Sequence, residues 1–346
     1  MPVNNEDITR RAPEQDVVVF SRVRLARNYA DTPFSPKMEA EQAGQMIQRV
    51  REVIAQGPEA EQYQCLLMRE LSEAQRNQLV EHHLISYDLL KYADWSATFI
   101  SSGETVSVMV NEEDHLRIQG MLRGLQLERA AELAFHMEER LSVQEEFAFD
   151  AQWGYLTSCP TNTGTGMRAC AVVHLPALSA SEQINPLAQA AARLGMTVRG
   201  LYGEGSDAKS HHLYMISNQV TLGRSEEDII RSLIVTTQQI AASERAARTR
   251  MMSDQGATML DRLMRTLGIV KYARIMRLDE MLPRLSDARL AAALGLLDYP
   301  LTGLDNLICD LQDGSLSARA GREIASVELN ALRADILRDA FRDVEP

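Results

Sequence analysis

Two short apolar runs between Thr98 and Val110 constrain the fold of this chain more than any other feature. Thr98-Phe99-Ile100 and the alternating Val106-Ser107-Val108-Met109-Val110 flank the turn residues Ser101-Ser102-Gly103-Glu104. So short a connection makes a hairpin, and strands joined that way pair antiparallel, because a parallel pair needs a long crossover. Asp16 to Arg24 (D-V-V-V-F-S-R-V-R) reads as a further buried strand that ends in arginines. Strands that follow each other directly, rather than in strand–helix–strand units, predict an α+β fold: a mostly antiparallel sheet flanked by helices.

The remaining elements follow from periodicity and punctuation. Ser35-Pro36 opens a helix with Met38, Ile47, Val50 and Ile54 at helical spacing, stopped by Gly57-Pro58. Cys65 to Met68 is a short strand, Ser72 to His83 is helical, and Asn111 to Ile118 follows the hairpin directly. Gly124 to Leu141 is an amphipathic helix with Ala130, Leu133, Ala134, Met137 and Leu141 on one side. Cys170 to His174 and Met196 to Gly200 read as strands, Leu201 to His212 as a polar loop, and Leu213 to Ile216 as extended. Ser225 caps a long helix to about Arg250. Met251 to Gly256 marks a boundary, beyond which the pattern is helical with breaks at Gly268, Pro283, Tyr299-Pro300 and Gly314. Two domains result, 1–252 and an all-α 257–346.

Composition removes several function classes. The net charge of −12 argues against nonspecific nucleic-acid binding. No apolar run is long enough to predict a membrane span, and no leader predicts export. Cys65, Cys159, Cys170 and Cys309 form no CxxC, which speaks against structural zinc and for a reducing, cytoplasmic setting. No HExxH is present, and neither is GxxxxGK[ST] or an HRD/DFG set.

The chemistry concentrates in Trp153 to Ala169 (W-G-Y-L-T-S-C-P-T-N-T-G-T-G-M-R-A). Taken alone, a Thr/Gly/Asn-rich stretch is an ordinary loop. Its threonine hydroxyls and backbone N–H groups can also cradle an anion, with Arg168 reaching the same anion through its planar fork. Arg22 and Arg24 lie two apart and so project from one face of a strand, a costly pairing unless an anion sits between them. Arg117 follows the hairpin, Arg168 follows the central loop and Arg199 ends a strand next to Gly200, so five arginines in an acidic chain are candidates for one polyphosphate. Glu112-Glu113-Asp114 and Gly203-Glu204-Gly205 offer carboxylates for a cationic substrate, although each alone also fits a solvated turn.

Four segments, S-R-V-R, N-E-E-D-H-L-R-I, C-P-T-N-x-G-T-x-x-R-A and R-G-x-x-G-E, occur here in the order found in the ATP:guanidino phosphotransferases, the arginine and creatine kinases. The longer strings G-Y-L-T-S-C-P-T-N-T-G-T-G-M-R-A, H-L-P-A-L, G-L-Y-G-E-G-S and I-S-N-Q-V-T-L-G resemble the bacterial protein-arginine kinases of that family more closely still. The resemblance spans Asp16 to about Arg250 and continues more weakly into the helical tail. It implies a phosphagen-kinase-like catalytic domain followed by a helical one, with ATP and Mg²⁺ as cofactors. Arg22, Arg24, Arg117, Arg168 and Arg199 would then hold the ATP phosphates, and His83 would line the nucleotide pocket. Glu113 and Glu204 would clamp the substrate guanidinium, one acting as base, while Cys159 orients it. Glu112 would touch the hydration shell of a metal that has no direct protein ligand. Where many phosphagen kinases place a histidine toward adenine, this chain has Val172, with His174 two residues on.

The same resemblance implies protein substrates with accessible arginine, a role in regulation or Clp-type proteolysis, and as partners a Clp-type AAA+ protease, an activator protein and a second copy in a homodimer. Free-guanidine kinases carry a helical domain before S-x-R-V-R, whereas twenty residues precede Ser21 here, so an open site for a protein-borne arginine is expected. The alternatives are a phosphagen kinase for free arginine and a non-catalytic adaptor for phosphoarginine proteins. In the helical tail, Leu329-Asn330-Ala331-Leu332-Arg333-Ala334 stands where the bacterial family can carry a phosphoarginine-reading R-D-x-x-R-A. Glu328 to Phe341 reads instead as an amphipathic terminal helix.

Overall fold

A computed structural model describes residues 12–57, 60–143, 145–201 and 211–345. The chain forms β1 (Val18–Arg27), α1 (Ala40–Ala55), β2 (Tyr63–Leu67), α2 (Glu73–Glu81), β3 (Ala97–Ser101), β4 (Val106–Val110), β5 (Leu116–Arg123) and α3 (Leu127–Ser142). There follow β6 (Phe149–Asp150), β7 (Gly154–Tyr155), β8 (Met167–His174), α4 (Pro176–Ala180), α5 (Ile184–Arg193), β9 (Met196–Gly200) and β10 (Leu213–Asn218). The rest is helical: α6 (Glu226–Tyr272), α7 (Leu278–Ala293), α8 (Leu301–Asp310), α9 (Asp313–Ala320) and α10 (Ser326–Ala340).

Eight strands make one sheet in the order β2-β3-β4-β5-β1-β8-β10-β9, and every neighbouring pair is antiparallel. The hairpin that dictated this topology is β3–β4, and β5 adds directly to it. β1 takes the centre because its residues are buried nearly throughout. One face of the sheet carries Val23, Leu25, Ile118, Ala169, Ala171 and Ile216 into a core shared with α1, α3 and the first half of α6. Helix α3 lies close on β5 because Gly120 has no side chain: a Cβ there would stand 2.1 Å from the carbonyl oxygen of Ala130.

The opposite face carries Phe20, Val172 and Leu213 into a second core, built with Met259, Leu263 and Leu267 of α6 and with α7 to α10. Helix α6 therefore threads both cores, with a single non-helical residue at Gln255. Gly268 lies within α6 and Pro283 within α7, so neither is the break expected of it. Pro283 is tolerated six positions into its helix, in its second turn. Other boundaries moved as well. Ser35–Lys37 is only a 3-10 turn, because Met38 is extended, and α1 starts afresh after a capping box between Glu39 and Gln42. β1 continues three residues past Arg24, which places both its expected arginines mid-strand. Arg117 is likewise a strand residue, the second of β5.

Candidate active site

Cross-strand partners in a sheet point to the same face, as do residues two apart along a strand. Arg24 pairs directly with Arg168 across β1–β8 and with Gln119 across β1–β5. Arg22 is two residues before Arg24, and Arg117 two before Gln119. Arg199 pairs with Met215, which pairs with Val172, four residues along β8 from Arg168. All five arginines therefore share one face, the face that the helical domain covers only at its Phe20–Val172–Leu213 end.

That clustering has an electrostatic signature. Burial holds the Arg24 guanidinium well below its usual basicity, with Arg22 and Arg117 alongside adding to the shift. Arg168 is lowered by burial too, and feels both Arg199 and Arg117. The Nε atoms of Arg22 and Arg24 are buried with no hydrogen-bond partner among the described residues. Cations massed on one face, two of them with buried donors left over, fit a multiply charged anion bearing many acceptor oxygens.

Carboxylates stand at the edge of this patch, in the turn between β4 and β5. Glu112 is buried and accepts from Arg117 Nη1 on Oε1 at 2.7 Å and on Oε2 at 2.6 Å, and Oε1 also accepts from the Ser86 hydroxyl. Glu113 is half-buried; burial first, then Asp114 and Glu112, raise its carboxyl above the usual range. A carboxylate made more basic by its surroundings suits a general base. Asp114 is buried and accepts from Asn28 Nδ2 at 2.6 Å and from the Ser158 backbone N–H at 2.7 Å. It thereby pins the loop of Cys159 against the loop of Glu113.

The loop between β7 and β8 is shaped by steric necessity at Gly166. Its φ is +61°, and a Cβ would sit 2.7 Å from Ala26 O and 2.4 Å from Arg27 Nη1. Cys159 is half-buried, its Sγ 3.1 Å from Thr161 Oγ1. Arg168 donates from Nε to Asn162 Oδ1 at 3.2 Å, and from its Nη atoms to the carbonyls of Thr161 (3.1 Å), Asn218 (3.0 Å) and Gln219 (3.3 Å). Asn162 Nδ2 in turn donates to Glu113 Oε1 at 3.4 Å. A single amide so bridges the carboxylate to an arginine of the cluster.

His83 packs its ring 5.1 Å from that of Phe20, and burial beside Arg22 pushes its pKa down to about 3, so it is neutral. Glu204 lies outside the described residues. His174 is fully buried against the helical domain, with Nε2 2.8 Å from Ser286 Oγ, and Val172 belongs to the same junction. Sequence reasoning missed Asn28, Asp114 and Asn162 as organisers. Asp114 and Asn162 sat inside stretches already singled out, but nothing in one sequence distinguishes a bridging amide from a loop residue. Among the described residues no group of three or more His, Cys, Asp or Glu is placed to hold a metal ion.

Residues 45–247 match the family model for the ATP:guanido phosphotransferase C-terminal catalytic domain, and residues 256–346 match that for the protein-arginine kinase McsB C-terminal domain. A protein-arginine kinase of Pelotomaculum thermopropionicum is 41% identical over 336 residues, covering 96% of this chain and 94% of that protein. One from Geobacillus stearothermophilus is 39% identical over 338 residues, covering 97% and 93%. Among solved structures, lombricine kinase superposes with a TM-score of 0.58 at 22% identity, covering 72% of each chain. The duplicated taurocyamine kinase of Schistosoma mansoni, with bound transition-state-analogue components, gives 0.60 at 24% identity over 70% of this chain and 36% of that one. These two likenesses bear on the fold alone.

Proposed function

From a chain that belongs to the ATP:guanido phosphotransferase family, and to its protein-arginine kinases along nearly its whole length, we infer an ATP-dependent kinase that phosphorylates arginine side chains in proteins. The observation that supports the site is the single sheet face bearing Arg22, Arg24, Arg117, Arg168 and Arg199, bordered by Glu113 and Cys159. The arginines take the ATP phosphates. Phosphoryl transfer asks mostly for positioning and charge neutralisation, which such a cluster supplies before substrate arrives.

A guanidinium is a poor nucleophile, since its lone pairs are delocalised and its pKa lies above about 12. Glu113 aligns it by charge-assisted hydrogen bonds, Glu204 acts with it, and Cys159 fixes the third side. As nitrogen attacks the γ-phosphorus, the bond to the ADP oxygen breaks and Glu113 accepts the guanidinium proton. Its raised proton affinity strengthens it for that step. Glu112 would help hold a hydrated magnesium ion, which would neutralise phosphate charge. His83 sits beside Arg22 as a neutral wall of the nucleotide pocket.

Other parts of the reading rest on the family likeness: a homodimer, an activator protein, a cytoplasmic setting, and a Clp-type AAA+ protease that receives marked proteins. No helix among the described residues is long and apolar enough to cross a membrane. The test is incubation of an arginine-rich protein with ATP and Mg²⁺, followed by mass spectrometry under conditions that spare P–N bonds, in parallel with free arginine. Phosphoarginine in the protein, with poorer kcat/KM for free arginine and none for lysine, supports the reading. A higher kcat/KM for free arginine with unmodified protein would make the chain a phosphagen kinase instead.

A further inference from the structure

We propose that the helical domain sets the geometry of the phosphate-binding arginines through three consecutive residues, Glu81-His82-His83, and that Glu81 is the positioning residue at its outer end. The proposal rests on the reading of Arg22 and Arg24 as ATP ligands.

The outer end is a carboxylate from the catalytic part seated on a helix of the other domain. Glu81 closes α2, and its Oε1 accepts the Gly314 N–H at 2.9 Å. Its Oε2 accepts the Ser315 N–H at 2.7 Å and the Ser315 hydroxyl at 2.6 Å. These are first-turn N–H groups of α9, which have no partner within their own helix. The two helices touch at Gly314, where a Cβ would lie 2.5 Å from Asn77 Cβ and 2.8 Å from Glu81 Oε1. One residue on, His82 Nε2 lies 3.3 Å from Asp310 Oδ1 at the end of α8. Both contacts join segments more than 200 residues apart in sequence.

The inner end is His83. It ends α2 in a left-handed conformation, φ +61°, its N–H on the Val80 carbonyl and the Leu84 N–H on the Leu79 carbonyl, a helix stop with histidine where glycine is commoner. Its carbonyl accepts Gln119 Nε2 at 2.9 Å, and Gln119 is the cross-strand partner of Arg24. Its ring packs on Phe20, over which the Arg22 guanidinium also lies, 5.9 Å from the ring centre. A shift of α8 and α9 against α2 therefore moves the residue that ends α2, which packs on Phe20 beside Arg22 and meets the cross-strand partner of Arg24. Glu113 and the Cys159 loop lie toward the other end of the sheet face and are tied together by Asp114, Asn28 and Asn162, whereas Glu112 meets Arg117 and Ser86. The coupling is thus directed first at the nucleotide.

Steady-state kinetics with ATP and an arginine-bearing protein as separately varied substrates test this on the full chain. Glu81→Gln removes the charge that caps α9, and Gly314→Ala pushes α9 from α2 at a point remote from the arginines. Each is expected to raise KM for ATP by roughly fivefold or more, the range of ordinary inter-site coupling, with KM for the protein substrate unchanged within about twofold. Arg24→Ala is the reference. If Arg24→Ala leaves KM for ATP unchanged, the cage reading fails. If Arg24→Ala weakens ATP while Glu81→Gln and Gly314→Ala, both folded by thermal melting, do not, the relay fails and the cage stands. Equal changes in both KM values also overturn it, since a merely structural role would give that result. Should either variant melt below assay temperature, His82→Ala, which removes the imidazole facing Asp310, is scored by the same criterion.

Discussion

At the scale of single residues, the informative features are those whose environment contradicts their ordinary chemistry. Glu113 is a half-buried carboxylate among other carboxylates, and its proton affinity is raised for that reason. In its proposed role as base it must be ionised to act, so activity is expected to be lost as pH falls through this raised pKa. The acid limb of kcat/KM is therefore expected above the ordinary carboxylate range near 4.5. Glu113→Gln keeps the shape and removes the base, so kcat should fall by about 10²–10⁴-fold and the acid limb should vanish, while ATP still binds by calorimetry. Near-normal turnover would return Glu113 to the solvated turn that its neighbours in sequence also suggest. Asn162 is the subtler case. It reaches Glu113 with one end of its amide and Arg168 with the other. Asn162→Ala is expected to lower kcat on the order of tenfold through lost alignment, less than loss of the base itself. An unchanged kcat would make the bridge incidental.

At the scale of elements, the site is a property of register. A strand sequence such as R-V-R places two arginines on one face whatever the fold, and the hairpin at Thr98 to Val110 dictates antiparallel pairing; both were legible in the sequence. That Arg24 lies opposite Arg168, and that Arg199 joins them through Met215 and Val172, is set by pairings between strands far apart in the chain. Local pattern carries no such information, and the convergence of the arginines was open until the sheet was assembled. The family likeness reached the same residues by another route. Helix breaks failed for a related reason: Gly268 and Pro283 sit in helices held by the second core, whose packing outweighs local propensity. The loops obey the same logic of long-range ties. Asp114 is all that joins the Glu113 turn to the Ser158 N–H by a side chain, at 2.7 Å. Asp114→Ala should leave the Ser158 N–H unmatched and take one of the two acceptors from Asn28 Nδ2, at a cost of about 1–3 kcal/mol. The freed loop should expose Cys159, so its alkylation, followed by peptide mapping, is expected to accelerate while kcat falls. An unaltered alkylation rate would show that the loop is held without Asp114, through Asn162, Arg168 and its own threonines.

At the scale of the whole molecule, the two cores are joined by buried polar contacts as well as by α6. Arg289 of α7 is fully buried, donating to Asp305 at 2.7 Å and to the carbonyls of Asp16 and Gln15 at 3.1 and 3.0 Å. His174 of β8 meets Ser286 of α7, and Arg248 of α6 donates to the His174 carbonyl at 3.2 Å. Removing one member of such a pair strands a buried charge, so Asp305→Ala is expected to cost about 3–5 kcal/mol in chemical denaturation. Because the contacts cross the junction, the loss should appear as one shifted transition; two separate transitions would mean that the cores unfold independently. The same junction carries a pH dependence. Burial, then Arg289 and Arg248, hold His174 neutral well below the ordinary histidine value of 6.5, and burial takes His212 down to about 4. The unfolded chain therefore binds protons that the folded chain refuses. Stability from these groups is complete above about pH 6.5 and is lost as pH falls below it toward the folded values. Glu244, whose carboxyl is raised by burial, acts with the opposite sign, so the comparison must be made between variants. His174→Gln retains a partner for Ser286 but cannot titrate. Its unfolding free energy should decline less steeply than that of the natural chain between pH 6.5 and 5, where carboxylates already lowered by ion pairs, such as Asp16, still hold their charge. Parallel slopes for the two proteins would show that the His174 junction opens to water before the molecule unfolds.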